Sequence, residues 1–228
     1  MRTTIIKCYV IILLINILVL TSCKKDWFDR KSDMEITVPS GLKDFEMLLD
    51  NMAQISLGSP GLGEVASDGH YTTDNIWATM NDIPVYIVQK NAYIWTKNNP
   101  NTEVKDWNYP YSVIFICNLV LEGLAKIDRT EGNKFQYDQI RGNALFHRAR
   151  AYYELTQIFT PPYNILKDSQ YGLPFKNSTD VAEKITRKSV HETFSIIESD
   201  LALAASLLSN KQLPVTRGSK SACWGFLA

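Results

Sequence analysis

Past residue 106 the apolar positions recur at alternating steps of three and four, the repeat that lines one side of an α-helix. Trp107, Tyr111, Ile114, Leu121 and Ala125 form one such line, with the amide Asn118 on it, and Val113, Cys117, Val120 and Leu124 make the opposite side apolar as well. A helix apolar on both sides is one buried between neighbours. Leu145, Ala149, Tyr152, Leu155 and Phe159 mark a further helix, which Pro161-Pro162 ends, because proline lacks the amide donor and clashes with the preceding turn. Val190, Phe194, Ile197, Leu201, Ala204 and Leu208 mark another, with Glu192, Glu198 and Asp200 placed off its stripe, and Ser219 is positioned to cap a last helix from Lys220.

The first half is less regular. Leu42, Phe45, Leu48, Leu49 and Met52 predict a short helix that stops near the glycine and proline cluster 58–63, and residues 64–106, rich in Asp, Asn, Thr and aromatics, read mostly as loop with short helical turns. The pattern predicts an all-α chain of antiparallel pairs. Small residues at Ala144, Ala149 and Ala151, beside Tyr152 and Tyr153, suit tetratricopeptide-like crossings, where alanines let helices approach and aromatics fill the gaps. The chain stops at Ala228 inside the last helix without a capping residue, so a truncated piece of a longer protein is expected.

The amino terminus predicts location. Arg2 and Lys7 precede an apolar run from Cys8 to Leu20, then Thr21-Ser22-Cys23, the order of an export signal. Thirteen helical residues reach roughly 20 Å, short of the roughly 30 Å hydrocarbon core, which argues against a spanning helix. Leu20-Thr21-Ser22-Cys23 resembles the lipobox of bacterial lipoproteins, which implies cleavage after residue 22 and acylation of Cys23; the bland alternative is an ordinary secretory signal with a chance cysteine. Expected boundaries are 1–22 signal peptide, 23–40 lipidated polar tether, and 41–228 helical domain.

Composition narrows the chemistry. The 24 Lys and Arg balance 24 Asp and Glu, and loss of Arg2 and Lys7 with the signal leaves a net charge of −2, against the basic surface that nucleic acid requires. Of four cysteines only Cys117 and Cys223 could pair after processing; a disulfide is open, with buried free thiols the expected state. His70, His147 and His191 are scattered, and Asp68-Gly69-His70 with Asp74-Asn75 lacks the spacing of a calcium loop, so no metal site or other cofactor is expected. No nucleophile with a plausible base and no phosphate-cradling glycine loop is present, so no catalytic residue is assigned and no enzyme is expected.

Taken together, the lipobox, Trp107, Tyr111 and Asn118, the helix Arg141-Gly142-Asn143-Ala144-Leu145-Phe146-His147-Arg148-Ala149, and then Gly172-Leu173-Pro174, Arg187-Lys188-Ser189-Val190, Asp200-Leu201 and Arg217-Gly218-Ser219-Lys220-Ser221-Ala222 resemble the SusD/RagB family of outer-membrane nutrient-binding lipoproteins of Bacteroidetes. The resemblance covers the mature chain and the amino-terminal part of the family's length. Departures are Asn143 where the family usually has an acid, His147 in place of an apolar residue, and Phe159-Thr160-Pro161-Pro162-Tyr163 in place of an aromatic-glycine turn. Lys24-Lys25-Asp26 only partly resembles the acidic signal for surface export.

What the resemblance implies is a lid that binds an oligosaccharide, or in some members a peptide, and delivers it to a SusC-type TonB-dependent transporter. The implied place is the outer membrane, held by palmitate and other acyl chains, facing the cell surface. Glycan recognition uses flat aromatic faces with amide and carboxylate partners, and Asp68, Tyr71, Asp74, Asn75, Trp77, Tyr86 and Trp95 supply both kinds in the loop-rich stretch. The alternative reading is that these aromatics are core anchors and these polar groups cap turns. Asn118 and Arg148, inside apolar helices, are expected to be structural, since a buried amide or guanidinium must find partners. A helical-repeat scaffold that binds another protein and no ligand is the alternative function.

Overall fold

The computed structural model describes residues 39–56, 59–80, 84–97, 102–163, 171–212 and 214–228. The export signal, Cys23 and the tether up to residue 38 lie outside the described residues. Residues 39–228 pack as one unit.

Nine helices and one small sheet are present among the described residues: α1 (Leu42–Leu49), α2 (Met52–Ile55), α3 (Leu62–Val65), α4 (Asp74–Thr79), α5 (Pro84–Tyr93), α6 (Lys105–Leu124), α7 (Lys134–Phe159), β1 (Tyr171–Pro174), β2 (Arg187–Ser189), α8 (Val190–Leu207) and α9 (Lys220–Leu227). The core is built by α7, which packs on α6 along one side and on α8 along another, with α9 closing on α8 and α1 lying across α6 and α7. Ala144 and Ala149 are fully buried and Ala151 nearly so, as expected of the small residues that permit close crossings, and Tyr152 and Leu155 fill the space beside them.

Four readings of the sequence change in the structure. The first predicted helix is two: Asp50 caps α1 and Asn51 starts α2, which leaves Met52 half exposed instead of in the core. The stretch read as mostly loop holds α3, α4 and the ten-residue α5; its apolar pattern is faint because Val88 is buried while Tyr86, Ile94 and Trp95 are exposed. Gly172-Leu173-Pro174 and Arg187-Lys188-Ser189, silent as strands in the sequence, pair antiparallel with Tyr171 opposite Ser189 and Pro174 opposite Arg187. Asp200, placed off the apolar stripe of α8, is buried.

The burial of Asp200 has a partner. Arg148 on α7 donates from Nε and Nη2 to both carboxylate oxygens of Asp200, each at 2.8 Å, and from Nη1 to Asn118 Oδ1 on α6 at 2.9 Å. Asn118 Nδ2 in turn donates to the Lys176 carbonyl at 2.9 Å, and Tyr152 Oη donates to that carbonyl and accepts from the Lys176 amide. One guanidinium thus joins three helices and fastens the segment after β1. A second fork, Arg217 to Asp50 and Glu46, ties the loop before α9 to α1. Asn143, the departure from the usual acid, accepts the Gly218 amide at 2.7 Å and so holds that same loop from α7.

The helix ends are set locally. Ser189 Oγ accepts from the Glu192 amide and the Glu192 carboxylate accepts from the Ser189 amide, a reciprocal cap that holds the Glu192 carboxyl below its ordinary range. Asp106, at the start of α6, accepts the amides of Gly61 and Leu62 at 2.6 and 2.8 Å. Those two bonds seat α3 against the start of α6.

Candidate functional site

The loop-rich segment folds around one small cavity of about 220 Å³, lined by Val65, His70, Tyr71, Thr72, Trp77, Met80, Gln89, Lys90 and Tyr93. Three elements make it. Thr73 caps α4 by accepting the Ile76 amide, which turns Trp77 toward α5. On α5, Lys90 and Tyr93 stand three residues apart and therefore share a face. The loop before α4 is held against that face by the Thr72 amide, which donates to Tyr93 Oη at 3.2 Å.

Two aromatic walls result. The Trp77 and Tyr93 rings lie 5.7 Å apart at 43°. Lys90 Nζ sits 4.9 Å above the Trp77 ring and donates to the Met80 carbonyl at 3.2 Å, so the ammonium is fixed by a ring face and an acceptor together. Thr72 Oγ1 is buried with no partner, a donor and acceptor held beside the cavity unused. His70 stands at the rim, its Nε2 3.6 Å from Glu64 Oε1.

Of the seven residues proposed from the sequence, Tyr71 and Trp77 line this cavity. Asp68, Asp74 and Asn75 are exposed and do not, and neither does Tyr86. Trp95 stays outside the lining with 82% of its surface exposed, yet its indole donates to the Ala66 carbonyl at 3.1 Å and its backbone has φ 56°, the left-handed region that a bulky residue seldom enters. Backbone outliers of this kind cluster at functional sites, so Trp95 stays a candidate, outside the cavity.

The residues that sequence reading missed are Thr72, Gln89, Lys90 and Tyr93, which give the cavity most of its donors and the ring that faces Trp77. Their signal was the one-face spacing of Lys90 and Tyr93, hidden because α5 was not recognised as a helix. Chemically the arrangement offers apolar ring faces and hydrogen-bond donors for a small polar ligand. No carboxylate lines it among the described residues.

A SusD-like family model, described as starch-binding associating with outer membrane, matches residues 26–228. No match is found among curated proteins. Among solved structures, a Bacteroides vulgatus protein described as a candidate sugar binder is 24% identical with a TM-score of 0.66, covering 84% of this chain and 42% of that one. A SusD superfamily protein from Bacteroides thetaiotaomicron is 18% identical with a TM-score of 0.65, covering 82% and 41%. Surface glycan-binding protein A from Bacteroides fluxus is 14% identical with a TM-score of 0.61, covering 83% and 39%. The chain spans about two fifths of the length of these structures, which share its helical fold.

Proposed function

This chain belongs to the SusD-like family, and from that premise we propose that it is the amino-terminal part of a nutrient-binding lipoprotein which captures saccharide at the cavity between Tyr71, Trp77 and Tyr93. The same reading has Cys23 acylated at the outer membrane with the folded part facing the cell surface, and has captured sugar delivered to a SusC-type TonB-dependent transporter. Binding, without covalent chemistry, is the whole of its action. Carbohydrate or glycan binding is named for several of the structures that share its fold, which supports a saccharide over a peptide.

The observation that carries the reading is the pair of fixed rings, Trp77 and Tyr93, facing one cavity with donors around it. Sugar rings present flat C–H faces that stack on aromatic side chains, while their hydroxyls need hydrogen-bond partners. Affinity electrophoresis of the full chain against a panel of polysaccharides tests this reading. Retardation that Trp77→Ala abolishes, with the helical circular-dichroism spectrum unchanged, is the expected result, and retardation that survives Trp77→Ala moves the site elsewhere. Loss of membrane association and of radiolabelled palmitate in Cys23→Ala tests the anchor, and co-purification with an outer-membrane barrel tests the transporter.

A further inference from the structure

We propose that this cavity takes a sugar residue bearing an anionic group, a uronate or a sulfate ester, in preference to a neutral one. The inference rests on the saccharide reading above and narrows its ligand class. Neutral sugars are commonly held by carboxylates, which accept from their hydroxyls, and the sequence offered Asp68 and Asp74 for that role. The structure sets both outside the lining and puts Lys90 inside it.

Lys90 is placed to meet an anion. Its ammonium has three N–H donors, of which the Met80 carbonyl takes one, and the Trp77 ring beneath it supplies no full negative charge. Among the described residues no acid lines the cavity, and Glu64, outside the lining, faces His70 at 3.6 Å. The unpartnered, buried Thr72 Oγ1 adds a hydroxyl ready to donate, and Gln89 adds an amide. A charged acceptor would form the shorter, stronger class of hydrogen bond with Lys90 that a sugar hydroxyl does not. About 220 Å³ is below the range of sites that enclose drug-sized ligands, so the cavity suits a single charged ring at one position of a longer chain.

Isothermal titration of the full chain with oligogalacturonides, carrageenan oligosaccharides and maltooligosaccharides of matched length tests this. The expected result is that one of the two acidic series binds at least about tenfold tighter than the neutral one and weakens as salt rises, as a partly exposed ion pair does; the series that binds tells a uronate from a sulfate ester. Lys90→Met should remove that preference and Lys90→Arg should retain it, which separates lost charge from lost fold. Equal or tighter binding of maltooligosaccharides, or an acidic preference untouched by Lys90→Met, overturns the anionic ligand and leaves the saccharide site standing. Absence of binding to all three series sinks the saccharide reading itself, and the anionic inference falls with it.

Discussion

Replacing His147 by leucine is expected to stabilise this protein and to flatten its response to acid. His147 on α7 is 1% exposed, its Nδ1 has no hydrogen-bond partner, and its ring meets Phe146 edge-on at 5.3 Å. Burial, helped by the charge of Arg150 and opposed by Asp50, pushes the imidazole down from 6.5 to about 3, so it stays neutral in the fold. An orphaned buried nitrogen costs about 1–3 kcal/mol, which leucine would remove at any pH. Acid adds a second cost. The folded value is depressed, so below about pH 6.5 the unfolded chain takes up a proton that the folded chain refuses, and stability is lost progressively as pH falls toward 3. Between pH 7.5 and pH 5 the loss amounts to about 2 kcal/mol. Urea unfolding of the native chain and of His147→Leu at both pH values measures it. The gap between the two should widen by about 2 kcal/mol at pH 5; a gap that stays constant would mean that His147 is not held neutral inside the fold.

The remaining expectations concern the frame. Arg148→Met leaves Asp200 buried without its cation and Asn118 Oδ1 without its donor, so unfolding free energy should fall by about 3–5 kcal/mol in a denaturant titration, with Arg148→Met/Asp200→Leu recovering much of it. Gly172→Ala would place a Cβ 2.4 Å from Thr193 Oγ1 and 2.6 Å from the Ser189 carbonyl, a backbone atom that cannot step aside, and should cost about 1–3 kcal/mol. Gly225→Ala, in α9 with nothing within 4 Å of the new atom, should gain up to about 1 kcal/mol by helix propensity, and thermal melts of the two variants test the contrast. Cys117 and Cys223 are fully buried free thiols, raised by burial to about 12 and about 11. In a chain with Cys8→Ser and Cys23→Ser, a thiol-specific chromogenic reagent should therefore react with them only on unfolding.

The long helices were legible in the sequence because α6, α7 and α8 are buried along most of their length, which forces apolar residues into every third or fourth position. The cavity was legible in part. Tyr71 and Trp77 stood out as aromatics in a polar loop, whereas Lys90 and Tyr93 looked like ordinary members of a segment with no strong repeat. An exposed helix such as α5 is held by a few contacts, and a few contacts leave a faint pattern. The strand pair was hidden for a similar reason: with four residues in one strand and three in the other, it is shorter than any run that alternation can reveal.

By itself the sequence determined the helical class, the closely packed alanines of α7, the end of α7 at Pro161 and the family, because each of these rests on local chemistry or on an ordered set of motifs along the chain. The tertiary structure alone decided that Asp200 turns inward, that Arg148 meets it and Asn118 together, and that Asp68 and Asp74 yield the cavity wall to Lys90. Those outcomes depend on groups 30 to 52 residues apart, or on which side of a short helix packs. A buried charge is bearable only where its partner arrives, and periodicity along one chain carries no record of what lies across from it.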